Sequence, residues 1–289
     1  MNNNFKNLKR YGQNFLIDKN ILQNIIDYAQ IEDDDVVLEI GPGQGVLTRA
    51  LLNRGVSCLH AVEIDERLRP ELESLASENL NLKLHWSDAV KFNYAALEPF
   101  PNKVIANIPY NITTPLIWEL LKFADKGLNK FIFMVQKEAA DRIIAKADSK
   151  ERYPLGVAIE AMGGAKILKS VSPECFKPVP KVKSALIEIK IDKNFELMRD
   201  NLFSKLLHIA FAHRRKTLLN NLKNFVSEPE QVLKDFKNLR AEDLSADDWI
   251  KIYEIIKLIG CPVAPVRLRE YGHVLSSMSR SDRGVQLKI

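Results

Sequence analysis

Five short apolar runs mark the first half of this 289-residue chain, each with a polar or acidic residue at or next to its end. They are VVLEI (Val36–Ile40), CLHAVEI (Cys58–Ile64), LKLHWSD (Leu82–Asp88), KVIAN (Lys103–Asn107) and FIFMVQ (Phe131–Gln136). Runs of this length, bounded by turn signals, suit strands covered on both faces. Helical period separates the early ones: Asn20–Gln30 puts Ile21, Ile25, Tyr28 and Ala29 on one face, and Val46–Gly55 and Glu66–Ser77 follow suit. Strands alternating with helices predict an α/β fold with a mostly parallel, doubly wound sheet. Such sheets bind ligands at the carboxyl ends of their strands.

Near Asp192 the pattern changes. Met198–Ala212, Arg214–Asn224, Glu228–Asn238 and Ser245–Ile259 read as helices with no strand between them. The expected division is an α/β catalytic domain over residues 1–192, a small all-α domain over 193–260, and a mobile tail over 261–289, where no period is sustained.

Composition narrows the class. A hydrophobic share of 46% with 27% charged residues is that of a globular protein large enough to need no staple. Three scattered cysteines (Cys58, Cys175, Cys261) form no metal-ligand spacing, which predicts no metal and a reducing compartment. With no apolar run of membrane-spanning length and no apolar core in MNNNFKNLKR, the expectation is a cytoplasmic protein with no membrane partner. The net charge of +5 is unevenly spread. Asn201–Phe225 carries Lys205, Arg214, Arg215, Lys216 and Lys223 and no acid, and six lysines fall between Ala165 and Lys190. Clustered basic charge is either a grip on phosphates or a solvated face.

Chemistry concentrates at the strand ends. EIGPGQG sets Gly41, Gly43 and Gly45 in a strand-to-helix turn, where glycine lets backbone approach a ligand closely. The G-x-G-x-G spacing varies only modestly from the G-x-G-x-x-G of dinucleotide sites, so a nucleotide-dependent dehydrogenase is one reading. Glu63, about 20 residues on, suits a ribose diol, and Asp88 could accept from an adenine amino group. The fourth strand ends in NIPY: an amide, a backbone-rigid proline and an aromatic ring.

Taken in order, EIGPGQG, AVEID, SDA and NIPY resemble the Rossmann-like class I S-adenosyl-L-methionine (SAM)-dependent methyltransferases. NIPY is similar to the (N/D/S)-(P/I/L)-P-(Y/F) signature of adenine amino-group methyltransferases. GQNFLID (Gly12–Asp18), VQKEAADRI (Val135–Ile143), FKPVPKVKSALI (Phe176–Ile187) and AFAHRRKTLLNNL (Ala210–Leu222) resemble the KsgA/RsmA family of small-subunit ribosomal RNA adenine dimethyltransferases. The resemblance spans residues 7–259.

That resemblance implies dimethylation of adenosine N6 amino groups, two adjacent ones near the 3′ end of 16S rRNA. The implied partner is small-subunit rRNA in an immature 30S particle, met by a monomer. Gln13, Asn14, Leu16, Gly41, Gly43, Glu63, Ile64, Asp88, Ala89 and Asn107 would hold the donor. Asn107, Pro109 and Tyr110 would grip the target base, with Phe176 on its opposite face unless that ring fills the core. Lys181, Lys183, Arg214, Arg215 and Lys216 would contact phosphates. Two related readings are an erythromycin-resistance-type enzyme acting on 23S rRNA and a non-catalytic RNA-binding assembly or transcription factor on the same fold.

Overall fold

The computed structural model describes residues 14–259. Its opening elements are β1 (Phe15–Leu16), α1 (Lys19–Ala29), β2 (Val36–Ile40), α2 (Val46–Asn53), β3 (Cys58–Glu63), α3 (Arg69–Glu78) and β4 (Leu82–Trp86). Then come β5 (Lys103–Asn107), α4 (Thr113–Leu121), β6 (Lys130–Gln136), α5 (Lys137–Ile144), α6 (Pro154–Met162), β7 (Gly163–Val171), β8 (Phe176–Lys177) and β9 (Ser184–Ile191). The described chain closes with α7 (Leu202–Ala210), α8 (Leu218–Leu222), α9 (Pro229–Val232) and α10 (Ala246–Ile259).

The main sheet runs in the order β4-β3-β2-β5-β6-β9-β7. The first five strands are parallel, as their apolar runs predict, while β9 is antiparallel to both β6 and β7. Chain order reverses between β2 and β5. The turns leaving those two strands diverge there and open a crevice at the carboxyl edge. β1 and β8 pair separately, antiparallel, with Leu16 opposite Phe176.

Two apolar clusters flank the sheet. One contains Ile25, Leu51, Ile105 and Phe176. The other runs from Leu38 and Phe133 through α6 to Phe203, Trp249 and Ile256, so the C-terminal helices share a core with the sheet. Arg152 fastens that junction: fully buried, its guanidinium donates to Glu160 Oε2 at 2.6 Å, to the Ala145 carbonyl at 2.7 Å and to the Leu244 carbonyl at 3.3 Å.

The structure corrects the expected helices after Asp192. The predicted Met198–Ala212 and Arg214–Asn224 segments shrink to α7 and α8, and Arg214–Lys216 sits in the turn between them. Thr217 explains the break: its hydroxyl caps α8 by accepting from Asn220 N–H, so the helix starts after it. Glu228–Asn238 shrinks to the four residues of α9. No helix among the described residues is long and apolar enough to cross a membrane. The predicted tail, 261–289, lies outside the described residues, as does Gln13.

Candidate active site

A cavity of about 280 Å³ occupies the crevice at the β2/β5 edge. Asn14, Gly41, Gly43, Glu63, Ile64, Asp88, Ala89, Asn107, Pro109 and Tyr110 all line it. These are residues from four parallel strand ends plus one segment folded over them.

The glycine turn is built for close approach. Gly41, Gly43 and Gly45 hold φ of +68°, +57° and +73°, the left-handed region that L side chains rarely adopt. A Cβ on Gly41 would meet no protein atom within 4 Å, so the room beside it belongs to the cavity. A Cβ on Gly43 would stand 2.8 Å from the Phe15 ring, which lines the same space.

Glu63 carries the turn. Its Oε2 accepts from Gly43 N–H at 3.1 Å, and its Oε1 accepts from Ile64 and Asp65 N–H at 2.9 and 2.8 Å. Burial raises its pKa above the ordinary value, against the three N–H bonds that pull it down. With two lone pairs per oxygen, Oε2 keeps one site for a hydroxyl donor. Asp88 is more open: Oδ1 accepts from Val90 N–H at 2.9 Å, and Lys91 stands 3.8 Å from Oδ2. Ile64 is 45% exposed, giving the mouth an apolar face on which a flat ring can lie.

Behind the turn lies a group that the sequence reading did not assign. Glu39 is buried, and its Oε2 makes no hydrogen bond among the described residues. Burial, with the nearby Glu63 charge adding to it, pushes its pKa up to about 8.

On the β5 side, Asn107 Nδ2 donates to the Asn14 carbonyl at 3.0 Å. A carbonyl only accepts, so this bond assigns the amide nitrogen to that side and leaves Oδ1 an acceptor with no hydrogen bond among the described residues. Ile108 N–H is tied to the Met134 carbonyl at 3.1 Å, and the Pro109 carbonyl accepts from Ile112 N–H at 3.1 Å. No hydrogen bond among the described residues takes up the Ile108 carbonyl. The Tyr110 ring is half-buried, its hydroxyl 2.8 Å from Ser184 Oγ.

Two expected residues stand elsewhere. Leu16 is 8% exposed and Phe176 1%; both pack in the cluster beneath α1 rather than lining the cavity. Their β1–β8 pairing, with Ile17 N–H bonded to the Cys175 carbonyl and Asp18 capping α1, clamps Asn14 and Phe15 over the site. Phe176 thus takes the core-filling alternative in this structure.

The expected phosphate contacts divide. Lys181, Lys183, Arg215 and Lys216 are exposed. Arg214 instead spends its guanidinium on the Glu242 carboxylate, on the Lys150 carbonyl at 2.5 Å and on the Tyr153 ring at 4.9 Å. Phe15, Ser87 and Asn111 line the cavity without having stood out in the sequence. Ser87 and Phe15 belong to the SDA and GQNFLID motifs and Asn111 follows NIPY, so all three stand beside residues those motifs point to. Among the described residues there is no group of three or more side chains able to hold a metal.

Similarity to known proteins agrees with this geometry. "Ribosomal RNA small subunit methyltransferase A" of Prochlorococcus marinus (strain MIT 9301) is 37% identical over 263 residues, covering 87% of this chain and 96% of the relative. The protein of that name in Francisella tularensis subsp. novicida (strain U112) is 37% identical over 251 residues, covering 84% and 95%. A crystal structure of a dimethyladenosine transferase from Plasmodium falciparum matches with TM-score 0.74 at 27% identity, covering 86% of this chain and 98% of that one. The structure of the 23S rRNA methyltransferase ErmE shares the fold, with TM-score 0.62 at 23% identity, covering 84% and 100%. The profile described as "Ribosomal RNA adenine dimethylase" matches residues 4–258. By that match and these relatives, the chain belongs to the ribosomal RNA adenine dimethylase family.

Proposed function

We propose that this protein dimethylates adenine N6 amino groups of small-subunit ribosomal RNA, with S-adenosyl-L-methionine as methyl donor. The relatives' names, at 36–37% identity over most of the chain, favour the small subunit. The observation that carries the chemistry is a pair of acceptors at the cavity, Asn107 Oδ1 and the Ile108 carbonyl, with no hydrogen bond among the described residues.

The donor supplies an electrophilic methyl group on a sulfonium. Its nucleoside and amino-acid parts fit what the chain offers: space beside Gly41, one lone pair on Glu63 Oε2, the Asp88 carboxylate and the apolar Ile64. The residues on the β5 side then act on the target base. An adenine amino nitrogen is a poor nucleophile because its lone pair is delocalised into the ring. Two acceptors that take both amino hydrogens favour a more pyramidal nitrogen and free that lone pair. Because both acceptors are fixed before the base arrives, the gain is orientation and electrostatic preorganisation. Tyr110 offers a ring on which the extruded base stacks, worth about 1–3 kcal/mol per base. Exposed Lys181, Lys183, Arg215 and Lys216 would hold phosphates and offset the few kcal/mol that unstacking costs. The substrate is RNA within an immature small subunit, and the working compartment is the cytoplasm.

The test is transfer of labelled methyl groups from the donor to undermethylated small subunits, followed by mapping of the modified adenines. Dimethylated adenines near the 3′ end of 16S rRNA are expected. Label in large-subunit RNA alone, or binding without transfer, would overturn the assignment.

A further inference from the structure

Tyr110 is held at both ends, and only one end belongs to its own motif. Its backbone sits in the turn Tyr110–Ile112, whose fixed points are Ile108 N–H on the Met134 carbonyl and Ile112 N–H on the Pro109 carbonyl. Those bonds fix the main chain and leave the side chain free to rotate. The other end is the phenol, 2.8 Å from Ser184 Oγ.

Ser184 is an unusually firm post. It is fully buried and begins β9, where it pairs with Gln136 of β6 on one side and Val171 of β7 on the other. The preceding residue, Lys183, is tied as well, its carbonyl accepting from Lys137 N–H at 3.0 Å. A hydroxyl on a strand paired on both sides moves little, so the ring axis it holds keeps one χ1 direction rather than a set of them. Burial raises the phenol pKa, which keeps the group neutral and able to share a proton with serine.

We propose that Ser184 is a positioning residue that fixes the direction of the Tyr110 ring axis, and with it where the stacking surface for the target adenine stands. The proposal rests on the adenine-methylating role given above. Ser184 lines no part of the cavity, so it acts through Tyr110 and not on donor or base. It directly follows the loop 178–183, which carries the exposed Lys181 and Lys183, so the segment bearing the lysines proposed to grip phosphates is continuous with the tether.

Ser184→Ala and Tyr110→Phe cut the same bond from opposite sides and keep the ring. Each variant and the double variant are assayed for transfer to undermethylated small subunits, for donor affinity by calorimetry, and for thermal midpoint. Each single change should lower kcat/KM for RNA roughly tenfold, the worth of one well-placed hydrogen bond. Donor affinity should stay within about twofold, and the double variant should lose little more than either single one. Losses that multiply in the double variant would overturn the tether. So would unchanged kcat/KM, or a loss shared equally by donor binding and thermal midpoint, which marks a merely structural bond. Failure of the wild-type protein to transfer methyl groups would strike the functional assignment instead. In that case donor-bound Tyr110 ring order, read by NMR in wild type and Ser184→Ala, still decides the tether.

Discussion

Asn107 Nδ2 lies 3.0 Å from the carbonyl oxygen of Asn14, a residue 93 positions away in sequence. One hydrogen bond thereby sets which way the amide faces, since only its nitrogen side can meet a carbonyl. The segment that carries Asn14 is itself held by the β1–β8 pairing and by the Asp18 cap of α1. The acceptor geometry at the β5 end is therefore imposed by a stretch of chain far from the motif.

Replacing Asn107 with Ala should lower kcat about 10²- to 10³-fold, the usual cost of one preorganised transition-state partner. Donor affinity should stay within about tenfold, because the amide acts mainly on the base. Asn107→Asp should fare no better despite its shape: a carboxylate cannot donate to Asn14 and would face its carbonyl with like charge. Single-turnover rates beside donor titrations check both. Equal losses in binding and rate would contradict the assigned role.

Parallel strands β2, β3, β5 and β6 were legible because each is covered on both faces and writes a mostly apolar run; β2 and β5 match the predicted bounds. β7 was not legible. It reads GGAKILKSV, an edge strand whose residues are mostly half-buried or exposed, so neither a run nor a clean alternation marks it. The helical segment was over-read for a related cause: period alone runs through Arg214–Asn224, whereas the Thr217 cap lets the helix begin only after it. In the site, glycines and strand-end acids announce themselves because their chemistry and their place in the strand coincide. Phe15 and Ser184 do not, since each acts through a contact made by distant chain.

Gly43→Ala should weaken donor binding tenfold or more. The change forces a side chain into φ +57° and drives its Cβ to 2.8 Å from Phe15 Cε1, so either the ring shifts or the turn opens. The turn cannot open without straining the 3.1 Å bond from Gly43 N–H to Glu63. Calorimetric titration with the donor measures the loss; affinity equal to wild type would mean the turn does not shape the donor site.

Glu39 gives a pH signature. Its folded pKa of about 8 stands above the ordinary 4.5, so between those values the folded protein keeps a proton that the unfolded chain has released. Stability must therefore fall as pH rises through that window and level off above it. Glu39→Gln stays neutral throughout and removes this dependence. Its stability relative to wild type should grow from pH 5 to pH 8, by at most about 1.4 kcal/mol per pH unit. Denaturant melts at several pH values test this, and a difference constant with pH would refute it.

Arg214 and Arg215 are neighbours with opposite expected behaviour. Arg214 is partly buried, paired with Glu242 and stacked on Tyr153, so Arg214→Ala leaves the Glu242 carboxylate, only 15% exposed, without its cation. It should cost about 1–3 kcal/mol of stability, the range for a charge-assisted bond in such a setting. Arg215 is exposed, with no ion pair among the described residues. Arg215→Ala should leave the melting transition unchanged, weaken small-subunit RNA binding, and reduce the slope of log K against log salt by about one. Binding isotherms at several salt concentrations, run beside thermal melts, separate the two. An unchanged salt slope for Arg215→Ala would remove that residue from the RNA interface, and an unchanged melt for Arg214→Ala would mean that its ion pair is idle in solution.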